Sequence, residues 1–303
     1  MRVFVTGASG WVGAAVVPEL ISAGHEVVGL ARSDASAAAI AAAGAEVRRG
    51  DLDDPEGLRD AAAAADGVIH LAFIHDFSDM DSSGRADLRA IEAMGAALAG
   101  SGRPLVNASG TALAQPGQLA TEDQAPDPNA SVTHRHRSEE MMISLASRGV
   151  RTAIVRLSPT VHGDGDHGFV PVLIDIARER GVSAHVGDGS NRWPAVHQVD
   201  AATLFRLALE KGTPGSRFHG VAEEGVSTRE IAAMIGRHLD VPVESVAPED
   251  ATEHFGWIGA FFALDVPASS ALTRERLGWL PVQPGLIADL EAGHYFRGAP
   301  AIA

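Results

Sequence analysis

Apolar residues follow two rhythms along the first half of the chain. Short runs rich in Val, Ile and Leu alternate with longer stretches in which apolar positions recur every three or four residues. The short runs have the pattern of strands buried on both faces, and the longer ones that of amphipathic helices. The predicted strands are 2–6, 25–31, 45–49, 67–72, 104–108 and 151–157. The helices predicted between them are 13–23, 35–43, 55–65, 85–99 and 134–147. Pro55 stands in a first turn, where its missing N–H is harmless. This alternation predicts an α/β fold with a parallel sheet.

The second half is less regular. Gly163-Asp164-Gly165-Asp166 and Gly187-Asp188-Gly189 read as turns. Ser227 and Glu230 form a capping box that opens a helix over 228–239. Prolines recur at 242, 248, 267, 281 and 284. The expected organisation is a larger domain that carries the sheet, residues 1–157 plus about 195–222. A smaller C-terminal part, about 158–194 plus 223–303, then lies over the carboxyl end of the sheet.

The first strand runs into Thr6-Gly7-Ala8-Ser9-Gly10-Trp11-Val12-Gly13 and then a helix. In that context the glycines have separate jobs. Gly7 allows the tight turn, Gly10 lets backbone approach a pyrophosphate, and Gly13 lets the helix pack closely on the sheet. The phosphates meet free N–H groups at the helix start. The second strand ends Ala31-Arg32-Ser33. An NAD site wants a carboxylate near Ala31. Arg32, with Ser33 as a second donor, suits a 2′-phosphate, so NADP is expected over NAD. Asp34 keeps an NAD reading open in a shifted register. Asp51, followed by Leu52, is either an acceptor for adenine or a helix cap. Leu71, Ala72 and Phe73 end the fourth strand and should line the cofactor.

Composition narrows the partners. Asp plus Glu outnumber Lys plus Arg by 39 to 24, a formal charge of −15 that repels a phosphate backbone, so no nucleic acid is expected. There is no cysteine, which removes disulfides, thiolate nucleophiles and cysteine–zinc sites. No apolar run approaches the roughly 18 residues of a membrane span. The N-terminus leads straight into a strand, as expected of a cytoplasmic protein acting on a small molecule.

These residues resemble the extended short-chain dehydrogenases, the NAD-dependent epimerase/dehydratase family. The resemblance implies an α/β fold with a Rossmann-type, doubly wound parallel sheet, and makes the larger domain the NAD(P)-binding one and the smaller part substrate-binding. The glycine turn is similar to the family's TGxxGxxG. Gly50-Asp51-Leu52, His70-Leu71-Ala72 and Val106-Asn107-Ala108-Ser109-Gly110-Thr111 resemble its third, fourth and fifth strand ends. Arg156 to Gly163 resembles its RPxxVYG segment, which places Pro159 and His162 beside the nicotinamide. Val196 to Ala202 resembles its V-H-V-x-D-x-A segment. The resemblance implies a catalytic Ser/Thr at Ser109 or Thr111, and a homodimer paired through helices near 85–100 and 134–148. It also implies a Tyr-x-x-x-Lys pair on the helix after the fifth strand. Matching that helix through Ser138-Glu139 puts Arg135 at the tyrosine position and Glu139 at the lysine position. The chain's single tyrosine is Tyr295 and its single lysine Lys211.

Other groups must therefore carry the chemistry. His134 and His136 flank Arg135, and histidine is the usual side chain for proton transfer near neutral pH. Arg135 brings permanent charge, and Glu139 is spaced to pair with it along the helix face. His162, Asp164, Asp166 and His167 read as a turn rather than a metal site, so no metal is expected. Phe169, Trp193, Trp257, Phe261 and Phe262 supply either core or an aromatic substrate pocket. The expected function is NADP(H)-dependent reduction or oxidation of a small to medium carbonyl, alcohol or imine with a non-standard proton donor. The alternatives are a dinucleotide-binding sensor without turnover and an enzyme of the epimerase/dehydratase type.

Overall fold

The computed structural model describes residues 1–75, 79–113, 116–127 and 133–297. Its strands are β1 (Arg2–Thr6), β2 (Glu26–Ala31), β3 (Glu46–Arg49), β4 (Gly67–His70), β5 (Pro104–Gly110), β6 (Arg151–Leu157), β7 (Thr160–His162), β8 (Ser183–Val186), β9 (Arg192–His197), β10 (Ser216–Gly220), β11 (Glu223–Ser227) and β12 (Val243–Val246). The main helices are α1 (Trp11–Ser22), α2 (Asp34–Ala42), α3 (Pro55–Ala63), α4 (Met80–Leu98), α5 (Thr133–Ser147), α6 (Phe169–Arg180), α7 (Gln198–Lys211) and α8 (Thr228–Leu239).

Seven strands form one sheet in the order β10-β6-β5-β4-β1-β2-β3, with every pairing parallel. Strand side chains alternate between two cores. Val3, Val5, Ile69 and Val106 pack with α1, α2 and α7. Phe4, Val68, Leu105 and Ile154 pack with α3, α4 and α5. Both faces are thus covered, as a parallel sheet requires. Strand order reverses at β1, between β4 and β2, which opens the crevice where such sheets bind ligands.

A third core joins Val170 and Leu173 of α6 to Trp193, Ile231, Phe255, Phe262, Leu286 and Leu290. It supports a small sheet ordered β11-β9-β7 and the pair β12-β8. The α8 capping box forms as expected, with Ser227 and Glu230 each bonding the other's backbone. Helix α4 begins at Met80, five residues before the expected start. Asp79 caps it by accepting from Ser82 N–H, offsetting the weak helix propensity of Ser82, Ser83 and Gly84.

Candidate functional site

The glycine turn sits at the carboxyl end of β1. Gly7 has φ +66°, and a Cβ there would lie 2.7 Å from the Ala72 nitrogen. At Gly13 a Cβ would lie 2.0 Å from the Gly7 carbonyl oxygen. Both positions therefore exclude a side chain. Gly10 is exposed and caps α1 without a side-chain acceptor, so the first N–H groups of that helix have no side-chain cap. Beside it Ser9 is exposed, and Trp11 and Val12 are half-buried. Thr6 Oγ1 accepts from the Ala72 N–H at 3.2 Å and lies 2.6 Å from His70 Nδ1, tying β1 to β4.

At the next strand end Ala31 is buried and Arg32 is exposed. The Ser33 hydroxyl closes a capping box with Ser36 at the start of α2. The Asp34 carboxylate is paired with Arg49, which ends β3 alongside Ala31. Asp51 accepts from the Asp53 N–H, Asp54 caps α3, and Leu52 is buried. Leu71, Ala72 and Phe73 form a half-buried rim after β4.

The network between β5, β6 and α5 departs from the helix-face pair expected of Arg135 and Glu139. Glu139 is buried and accepts from Arg156 at 2.9 and 2.7 Å, from Arg217 at 3.3 Å and from the Ser109 hydroxyl at 2.9 Å. Burial drives that change. A carboxylate at a dry β5–β6 contact needs charge and several donors, which one helical neighbour cannot supply. Arg135 instead lies 3.9 Å from Asp87, donates to the Ala108 carbonyl at 3.2 Å and stacks 3.6 Å over the Phe73 ring. Burial works to raise the Asp87 carboxyl, but His70, Arg135 and Ser138 outweigh it and hold it below its usual range.

The two β5 hydroxyl candidates differ. The Ser109 proton is committed to Glu139. Thr111 is buried, and its Oγ1 has no hydrogen-bond partner among the described residues. His136 pairs with Glu140 at 3.2 Å. The His134 side chain lies outside the described residues. Pro159 is half-buried after β6, and His162 is fully buried with Nδ1 2.8 Å from Asp289. The two unique residues sit off α5: Lys211 Nζ donates to the Leu277 carbonyl, and the Tyr295 hydroxyl meets Gly163 and Asp166. Phe169, Trp193, Phe261 and Phe262 pack together in the third core, while Trp257, beside Phe169, is half exposed.

Arg156 also donates to the Gln124 carbonyl at 3.0 Å and lies 3.5 Å from His219 Nε2. His219 Nδ1 faces the Ser269 carbonyl at 2.8 Å, so Nδ1 carries the proton. Burial, then Arg156, push the His219 pKa down to about 4. The unfolded chain therefore binds this proton at higher pH than the folded one. Stability from this residue is present above about pH 6.5 and is lost as pH falls from there toward 4. Urea unfolding at pH 7.5 and 5 is expected to show a lower midpoint at pH 5, and His219→Gln is expected to reduce that difference.

The sequence pattern does not single out Arg49, Asp87, Arg217 or His219. For Asp87 a signal exists: it shares the stripe of Ser83, Ala90, Ile91 and Met94 that α4 buries. A charged residue on a buried stripe needs partners.

Residues 3–219 match the profile of the NAD dependent epimerase/dehydratase family. An uncharacterized protein of Schizosaccharomyces pombe is 52% identical, covering 98% of this chain and all of the relative. The 2-alkyl-3-oxoalkanoate reductase of Stenotrophomonas maltophilia is 30% identical over 73% of this chain and 69% of its own. Among solved structures, the dTDP-glucose 4,6-dehydratase DesIV of Streptomyces venezuelae, bound to NAD and TYD, superposes with a TM-score of 0.77. It is 20% identical and covered over 96% of both chains. Among the described residues no helix is long and apolar enough to cross a membrane.

Proposed function

This chain belongs to the NAD-dependent epimerase/dehydratase family of extended short-chain dehydrogenases, and from that premise we propose that it is an NADPH-dependent reductase of ketones. The glycine turn fits the dinucleotide: Gly7 and Gly13 shape it, and the uncapped start of α1 offers N–H groups to the pyrophosphate. When bound, the reduced nicotinamide supplies the hydride. Arg32 and Arg49, at adjoining strand ends, favour the 2′-phosphate form. The Asp34 carboxylate, on which an NAD reading would depend, is engaged by Arg49.

The observation that carries the reading is Thr111: a buried hydroxyl with no partner among the described residues, just past the end of β5, while Ser109 is spent on Glu139. A buried unpaired hydroxyl is costly unless a ligand completes it. Thr111 donates to the substrate carbonyl oxygen. Arg135 holds the negative charge that develops there, as a fixed cation rather than an acid, because a guanidinium keeps its protons. The alkoxide then takes its proton from water. Glu139, neutralised by Arg156 and Arg217, serves to anchor α5 to β6. The kinship to a reductase of 2-alkyl-3-oxoalkanoates supports a ketone as substrate, and 3-oxo acids are the first compounds to assay.

The test of cofactor choice is a pair of titrations. Wild type is expected to bind NADPH more tightly than NADH. Arg32→Ala is expected to weaken NADPH by roughly 1.5–3 kcal/mol, the range for a hydrogen bond to a charged group, and to leave NADH nearly unchanged. Equal losses for both dinucleotides would remove Arg32 from the 2′-phosphate.

A further inference from the structure

The hydroxyl of the chain's only tyrosine makes two directed bonds, both to the loop that follows β7. We propose that Tyr295 is a positioning residue for the dinucleotide: it holds the loop 163–168 against Trp11, the first residue of α1 in the glycine turn. The inference rests on the dinucleotide-binding reading above and adds a residue that the glycine motif does not contain.

The C-terminal segment reaches this loop along a series of anchors. The Trp279 indole donates to the Asp200 carbonyl at 3.0 Å. Both Asp200 carboxylate oxygens accept from the chain just beyond, at Val282 N and Gln283 N, each 3.0 Å away. Leu286 N donates to Glu223 at 2.7 Å. The short helix Leu286–Glu291 then brings Asp289 to the buried His162, and the next turn brings Tyr295 to the loop.

At the loop, the Tyr295 hydroxyl accepts from the Gly163 N–H at 3.1 Å and donates to Asp166 Oδ2 at 2.8 Å. The other Asp166 oxygen accepts from Gly168 N, at the cap of α6, at 2.7 Å. Gly163 and Gly165 have φ of +149° and +85°, conformations open to glycine. One backbone bond, from the Asp166 N–H to the Gly163 carbonyl at 3.1 Å, closes a turn here, and the side-chain bonds of Tyr295 and Asp166 tie that turn to its surroundings. Burial, followed by the neighbouring Asp166, pushes the Tyr295 hydroxyl above its ordinary pKa, so it stays a donor.

The opposite side of the loop meets the nucleotide turn. His167 lies edge-on to Trp11, ring centres 5.6 Å apart, and Gly165 faces the same indole. Trp11 is itself pinned, with its indole N–H on the Val161 carbonyl at 2.8 Å and its own carbonyl taken by Gln198. A contact chain therefore runs from Tyr295 through the loop to the residue that opens α1, where a pyrophosphate would meet the helix. Phe in place of Tyr295 leaves the Gly163 N–H and Asp166 short of partners and frees the loop to leave Trp11.

The test is direct titration of NADPH into wild type, Tyr295→Phe, Trp11→Leu and the double variant, with melting temperatures and the split between KM for NADPH and kcat. Tyr295→Phe is expected to remain folded and to bind NADPH about five- to tenfold more weakly, the effect of one hydrogen bond. KM for NADPH should rise while kcat at saturation holds. Trp11→Leu should weaken binding as well, and the double variant should lose little beyond the larger single loss, because both act through one contact. An unchanged Kd in folded Tyr295→Phe overturns the inference, as do losses that multiply in the double variant. A lower melting temperature at constant Kd assigns Tyr295 a structural role only, and also overturns it. Should Tyr295→Phe not fold, His167→Ala, on the exposed part of the loop, replaces it in the same cycle. A wild type that binds neither NADPH nor NADH overturns the dinucleotide reading, and this inference with it.

Discussion

Gly10→Val is expected to yield a folded protein with no measurable binding of NADPH or NADH. Gly13→Ala, although it adds only a methyl group, is expected to damage the fold itself. A Cβ at Gly10 meets only the Gly7 carbonyl oxygen, at 3.3 Å, and the rest of a valine side chain projects from an exposed cap. That is the space a pyrophosphate needs in order to reach the helix N–H groups. A Cβ at Gly13 lies 2.0 Å from the Gly7 oxygen and 2.8 Å from Ala8 backbone atoms. Backbone on that side cannot swing away as a flexible side chain would, so α1 must lift from β1. Thermal unfolding and dinucleotide titration separate the two outcomes. Undiminished binding in Gly10→Val would move the pyrophosphate to another part of the molecule.

Thr111→Val is expected to lower kcat by about 10²–10³, the effect of removing one donor to a developing oxyanion, while Kd for NADPH stays constant. Its stability is informative too. The Thr111 hydroxyl has no partner among the described residues, so valine removes none of the hydrogen bonds described and folding stability should hold or rise. Ser109→Ala should behave in the opposite way. It strips a donor from the buried Glu139 and is expected to lower stability more than it lowers kcat.

The sheet was largely readable from the hydrophobic pattern, because a parallel sheet buried on both faces leaves uninterrupted apolar runs. The glycine turn was readable because its residue type is dictated by backbone geometry, at Gly7 by a positive φ and at Gly13 by contact with Gly7. Pairings of charged groups were not readable. Helical spacing favoured Arg135 with Glu139, four residues apart. The fold instead gives Glu139 to Arg156 and Arg217, which come from β6 and β10, strands that become neighbours only once the sheet closes. The place of Arg49 is hidden from local pattern for the same reason, since the β2–β3 register is what brings it beside Ala31. Tyr295 lies 132 residues from the Gly163 nitrogen it binds, and no local pattern connects them.

The proposed reduction of a ketone is tested most directly by following the hydride. Wild-type protein is mixed in single turnover with NADPH deuterated at C4 on the transferred face and a 3-oxo acid, and the product is examined for its label. The account predicts a hydroxy acid bearing deuterium on the former carbonyl carbon, formed slowly in Thr111→Val at the same NADPH occupancy. Firm binding of the dinucleotide with no labelled product, across 3-oxo acids and simple ketones alike, would contradict it.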